Sequence, residues 1–189
     1  MEASDEHATR ERLVRAAIAL IPRLGWGEVT TRKVAAHAGV RPGVVHYHFA
    51  SVSDLLGEAA VRSTRETLAA PMAALASAED LPSGLDILLS ALDTTADDAS
   101  TAMLMAESLL AATRDAGLRA RLHDLLGEFR GEVTAWLRRH TGDEHAEATA
   151  AVLLAALDGA LLHRTVDPSL PTDALRLPLE RLVTAGSAS

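Results

Sequence analysis

The sequence predicts an all-α chain: a small three-helix head at the N-terminus and a larger helical bundle after it, about nine helices together. Three observations carry that reading. Hydrophobic residues make up 48% of the chain but aromatics only 3%, so the apolar content rests on Ala, Leu and Val, a mixture that favours helices. Apolar residues recur at intervals of three and four, as at Leu118, Leu122, Leu125, Phe129, Val133 and Trp136. Turn signals such as Asp115-Ala116-Gly117, Thr141-Gly142-Asp143 and Asp167-Pro168 part these stretches.

Taken in order, residues 1–7 read as a disordered tail. A first helix is expected over 9–24, with Leu13, Ala16, Ala17, Leu20 and Leu24 facing inward and Gly25 ending it. Pro22 removes the bond to Ile18 and should loosen the last turn. Trp26 is expected to fold back on the small core. The stretch TTRKVAAHAGVRPGVVHYHF, residues 30–49, is the most informative. Thr30 and Thr31 can cap a helix start, because a hydroxyl accepts from orphan N–H groups of the first turn. Val34, Ala35 and Ala38 give that helix a small apolar face. Gly39 suits its left-handed end, and Pro42 suits the first turn of the next helix. Val45 and Phe49, four apart, anchor that second helix while Gly43, Val44, Tyr47 and His48 face elsewhere. Helices over 31–38 and 42–48 joined by a Gly turn form the helix-turn-helix unit. A fourth helix runs from Ser51 or Ser53 to the late 70s, bent at Pro71. Helices over 82–95, 99–114, 118–140, 144–166 and 172–185 complete the chain, before a frayed end at 186–189.

Charge is unevenly spread. The net charge is −8, yet residues 8–50 hold Arg10, Arg12, Arg15, Arg23, Arg32, Lys33 and Arg41 against only Glu11 and Glu28, a local +5. A basic head on an acidic body suits nucleic acid, which needs positive charge only at the contact surface. With no cysteine, neither a disulfide framework nor a Cys-based metal site is expected. No run is expected to reach the roughly 18 apolar residues of a membrane span. The polar N-terminus is unlike a signal peptide, so a soluble cytoplasmic protein without membrane contact is the expectation. There is no Gly-rich phosphate loop, no nucleophile beside a base and no H-E-x-x-H pair, so no catalytic residue, metal or cofactor is expected. Glu107, His123, Asp158 and His163 are too scattered for a catalytic set. His46 and His48, two apart, point to different helix faces, and His140 and His145 fit a solvated turn.

Residues 30–56 resemble the tetracycline-repressor (TetR) family of bacterial transcription regulators, whose head follows T-T-x-x-[IV]-A-x-x-A-G-V-x-x-G-x-[LIV]-Y-x-H-F, then S-K-x-x-L-L. The chain matches at Thr30, Thr31, Val34, Ala35, Ala38, Gly39, Val40, Gly43, Val45, His48, Phe49, Ser51, Leu55 and Leu56. The likeness spans about 9–58. It implies a DNA-binding head over 8–52, an effector-binding and dimerisation body over 53–185, double-stranded operator DNA as partner, and a homodimer through the last two long helices. A recognition helix meets bases with its leading residues, here Arg41, Pro42, Gly43 and Val44. Arg41 can reach a guanine or a phosphate, Val44 can pack on a thymine methyl, and Gly43 permits close approach. The resemblance implies that Thr30, Thr31 and Lys33 hold phosphate, that Arg32 reads a base, and that Tyr47 and His48 grip the backbone, while His46 keeps a ring and an N–H donor at the DNA surface and adds sensitivity to pH. Two departures stand out: His46 replaces the usual Tyr, and Val52 the usual Lys, which predicts weaker or more salt-tolerant binding.

For the body, the resemblance implies a small effector of unspecified identity. Phe129 and Trp136, seven apart on one helix face, are either ordinary core or the walls of a pocket. Met103 and Glu107 share a face of the preceding helix, where the acid suits a cationic ligand. Asp158 and His163 interrupt the apolar eighth helix and serve either the dimer seam or, for His163, the effector. Ala155, Gly159 and Ala160 permit close helix approach at a twofold axis. The expected function is a repressor released from a palindromic operator by its effector. The alternative is a helical binding or interaction protein with weak or lost operator binding.

Overall fold

The computed structural model describes residues 2–142 and 144–184. Among them are nine α-helices, one 3₁₀ turn and no strand. The helices are α1 Glu2–Leu24, α2 Thr31–Ala38, α3 Pro42–His48, α4 Val52–Ala76, α5 Leu81–Asp97, α6 Ala99–Ala112, α7 Ala116–Thr141, α8 Ala146–Arg164 and α9 Asp173–Thr184; the 3₁₀ turn is Trp26–Glu28. Of the tail expected at 1–7, residues 2–7 form the first turns of α1, which starts at Glu2, and residue 1 lies outside the described residues. Acidic residues favour the N-terminal turns of a helix, where the backbone dipole is positive, and Asp5 and Glu6 sit there. The frayed end expected at 186–189 lies outside the described residues. Pro71 and Pro178 lie within α4 and α9, and both helices continue past them.

The chain forms two compact units, Met1–Arg65 with Met103–Leu122 and Glu66–Ala102 with His123–Ser189. These compact units divide later than the head–body boundary expected after residue 52, and the first takes in a returning segment. Packing gives the reason. Leu13, Val14, Ala17, Leu20 and Ile21 of α1, Val34 and Ala35 of α2, and Val45 of α3 are buried in one cluster with Phe49, Leu55, Leu56 and Ala59, and with Leu104 of α6. The inward stripe of α1 holds except at its end, where Leu24 is partly exposed. Ion pairs join α1 to α4: Arg10 with Glu58, and Arg62 with Glu11, which Arg15 also contacts at 2.8 Å. The Arg62 hydrogen bond, against the opposing effect of desolvation, holds the Glu11 carboxyl below its ordinary range. Its contribution to stability is present above that range and fades as pH falls through the lowered value.

The second unit packs α5, α8, α9 and the later part of α7 around Leu85, Leu88, Phe129, Val133, Trp136, Leu153 and Leu179. A capping box opens α5: the Asp80 carboxylate accepts from the Ser83 N–H at 2.8 Å, and the Asp80 N–H donates back to the Ser83 hydroxyl at 3.3 Å. Helix α8 corrects the membrane expectation. Within its 19 residues an 18-residue stretch reaches a mean hydropathy of 1.4, long and apolar enough to cross a membrane by length and composition alone. Ala146, Ala150, Leu153, Leu157 and Ala160 account for one side of that apolarity, because they are buried in the unit's own core.

Gly84 of α5 explains how the largest core side chain is seated. A Cβ at Gly84 would lie 2.3 Å from the Trp136 ring, nearer than any real contact, so the glycine lets a fully buried indole pack directly against α5. Gly84→Ala is expected to destabilise the protein by about 1–3 kcal/mol through overpacking, read as a lower midpoint in urea. Gly127→Ala on α7, where a Cβ meets nothing within 4 Å, should not lower it.

Candidate nucleic-acid interface

The local backbone around α2 and α3 is set by few residues. Thr30, extended at φ −117°, accepts through its hydroxyl from the Lys33 N–H at 3.4 Å and so caps α2. Gly39 ends α2 in the left-handed region at φ 66°, where a side chain would be strained, and its N–H turns back to Ala35 and Ala36. Arg12 of α1 clamps this turn: its guanidinium donates to the Ala38 carbonyl at 2.6 Å and to Gly39 at 3.2 Å. Pro42 occupies the first turn of α3, after an extended Arg41.

Helix α3 is two-sided. Val45 is fully buried, and Phe49 closes the helix beneath the Arg10 guanidinium, which lies 5.0 Å above its ring. Opposite, Arg41, Pro42, Gly43, His46 and Tyr47 are exposed and Val44 is half-buried. Tyr47 is 73% exposed, its ring edge-on to His48 at 5.1 Å. Gly43 has nothing within 4 Å of a notional Cβ. An exposed, nearly flat leading edge can enter a major groove, and flanking rings can reach the phosphates.

Cations are fewer at this surface than the sequence tally implies. Arg10 and Arg15 are paired with acids, and Arg12 is spent on carbonyls. Lys33, expected on phosphate, donates through Nζ to the Glu28 carbonyl at 2.7 Å, with the Glu28 carboxylate 3.6 Å away. Arg32 and Arg41 are exposed and have no acidic partner among the described residues. Thr31 is half-buried at the start of α2. Val52, half-buried, packs against the cluster beneath α3.

The residues expected to meet an effector fall in both units. In the first, Met103 is partly exposed on α6, and Glu107 accepts from the Trp26 N–H at 2.8 Å. In the second, Phe129 and Trp136 are buried in the core and His163 is exposed on α8. Arg12 and the Glu107–Trp26 contact were not legible in sequence, because their partners lie 26 and 81 residues away. The pairing of Lys33 with Glu28, five residues apart, carried a local signal.

Residues 13–59 match the family described as bacterial regulatory proteins, tetR family, and residues 82–185 match the tetracyclin repressor-like C-terminal domain. The chain is 31% identical over 188 residues to an HTH-type transcriptional regulator of Mycobacterium bovis, covering 94% of each. It is similar to the solved structure of the multidrug binding protein EbrR complexed with imidazole, at 30% identity and a TM-score of 0.70, over 92% of this chain and 93% of that one. A transcriptional regulator of Rhodococcus sp. Rha1 is 27% identical with a TM-score of 0.73, over 94% and 95%.

Gly43→Ala separates contact from folding. In a helix Ala is better than Gly by up to about 1 kcal/mol, and open space surrounds this position. The variant should unfold at or above the wild-type midpoint yet bind its DNA more weakly. Undiminished binding would remove Gly43 from the interface.

Proposed function

The chain belongs to the TetR family of DNA-binding transcription regulators, and from that premise we propose that it is a cytoplasmic, dimeric repressor released from a palindromic operator by a small-molecule effector. The observation that carries the DNA-reading surface is α3: Val45 and Phe49 face inward while Arg41, Gly43, His46 and Tyr47 face solvent. Arg41 and Arg32 read base edges or hold phosphate, Val44 meets a thymine methyl, and Tyr47 and His48 grip the backbone beside Thr30 and Thr31. With Arg32 and Arg41, which open the two reading helices, each holding one phosphate, a dimer neutralises about four phosphates, which predicts a slope of log K against log salt near −4. That modest slope also keeps alive a second reading, a binding protein with weak operator affinity.

A homodimer through α8 and α9 is supported by the apolar side of α8 that its own core leaves open. Val152 and Leu162 are 54% and 56% exposed, and Leu177 of α9 is 54% exposed. A helix apolar on all sides is stable in water only when covered. Ala155 is exposed and Gly159 has no neighbour within 4 Å of a notional Cβ, so a second α8 can approach closely. Ala160, expected at that seam, is instead buried within the unit. Twofold symmetry then presents two α3 helices to half-sites about 34 Å apart, or a multiple of it. The effector, by resemblance, binds the body near Phe129, Trp136 and His163. It lowers operator affinity by as much as it prefers the DNA-incompetent arrangement.

Gel shifts against duplexes flanking the protein's own gene, at low and high salt, test the reading. Wild-type protein should give a discrete complex, and Arg41→Ala should weaken it by about 1–3 kcal/mol on the preferred sequence if Arg41 contacts a base. An equal loss on every duplex would make Arg41 a phosphate contact, and no specific complex at any salt would favour the second reading. For the dimer, Leu162→Glu is expected to yield a monomer in sedimentation equilibrium together with a loss of operator affinity. A persistent dimer would place the interface elsewhere.

A further inference from the structure

We propose that Glu107 is a positioning residue for operator recognition, reaching from α6 to hold the turn that aims α2 and α3; this rests on the operator-binding reading above. The turn Trp26–Glu28 is a 3₁₀ segment whose preceding residue, Gly25, offers no side chain to cap it. The first N–H groups of any helical turn have no partner within it. Glu107, 81 residues away, supplies the missing acceptor: its carboxylate takes the Trp26 N–H at 2.8 Å. Gly25 sits at φ 82°, and even a Cβ there would lie only 3.8 Å from the other Glu107 oxygen.

The opposite end of the turn is tied to the reading helices. Lys33 of α2 donates to the Glu28 carbonyl at 2.7 Å, and Val29 is buried just before the Thr30 cap. The Trp26 side chain meanwhile packs against both the head cluster and the small cluster of Ala60, Ala112, Leu118 and Leu122. Thus α6 grips the leading end of a turn whose trailing end is bonded to α2. Releasing the Trp26 N–H leaves one end of that turn unfastened, and α2 with α3 loses a fixed orientation rather than its fold.

The test uses a duplex selected from random DNA by the wild-type protein, in three versions: as selected, and with the half-sites one base pair closer or farther apart. Glu107→Ala is expected to bind the selected duplex about tenfold more weakly, the scale of one hydrogen bond to a charged group, and to discriminate less among the three spacings. Glu107→Gln, whose amide oxygen still accepts from Trp26, should keep both properties near wild type. Wild-type affinity and spacing preference in Glu107→Ala overturn the proposal. An equal proportional loss on all three duplexes with a lowered melting temperature also overturns it, marking a contact that only stabilises. If selection returns no duplex that the wild type binds, the operator reading itself fails, and this proposal with it. Should Glu107→Ala not fold, hydrogen exchange at the Trp26 amide of the wild-type protein decides. Slower exchange in the operator complex than in the free protein supports the proposal, and unchanged exchange overturns it.

Discussion

Seven residues make fewer than two turns of helix, too few to persist alone in water, because nucleation costs more than so short a ladder of bonds returns. Helix α3 exists because Val45 and Phe49 are buried under it, each contributing on the order of 1.5–3 kcal/mol. Everything at the reading surface depends on that burial. It fixes which side of α3 meets solvent, and so which side chains are available to a groove. The clamps around it refine the aim: Pro42 sets the entry, Gly39 the exit of the preceding helix, and Arg12 ties that exit to α1.

The same economy governs charge. An acidic chain binds DNA only if its cations are placed at the contact, yet most of the head's arginines serve the fold. Arg10 and Arg62 stitch α1 to α4, Arg12 closes the turn before α3, and Lys33 holds the 3₁₀ turn. Exposed pairs of this kind contribute little each, but they remove charge from the phosphate-binding account. Arg23, Arg32 and Arg41 are exposed without an acidic partner among the described residues, and the last two flank the leading edges of the two reading helices. Specific contacts, more than bulk attraction, therefore have to supply discrimination, and that places weight on the orientation of α2 and α3.

What was legible in the sequence follows from distance along the chain. Helices, caps and the turn at Gly39 are local, encoded within four or five residues, and they were read close to their positions. The buried pair Val45 and Phe49, and the solvent side opposite, came from the same short period. The illegible features bring together residues far apart. Arg12 finds carbonyls 26 residues on, and Glu107 finds a backbone N–H 81 residues back. Glu107 looked like a ligand-facing acid because a sequence shows a side chain's helix face but not what packs against it. The returning segment was illegible for the same reason: Leu104 joins the head's core after a long excursion, and no local pattern announces a return.

That excursion bears on regulation. The chain passes between its two units after Arg65, Ala102 and Leu122, and each passage lies inside a helix: α4, α6 and α7 respectively. A flexible linker absorbs displacement through free φ and ψ rotation, whereas a helix has each peptide bonded to the one four residues away. An effector changes DNA affinity only through arrangements that both sites can bias. Of these three helices, α6 carries a side chain bonded to the turn leading into α2. Under the proposed effector release, re-aiming two short helices is enough to change operator affinity without unfolding them or altering the chain's charge.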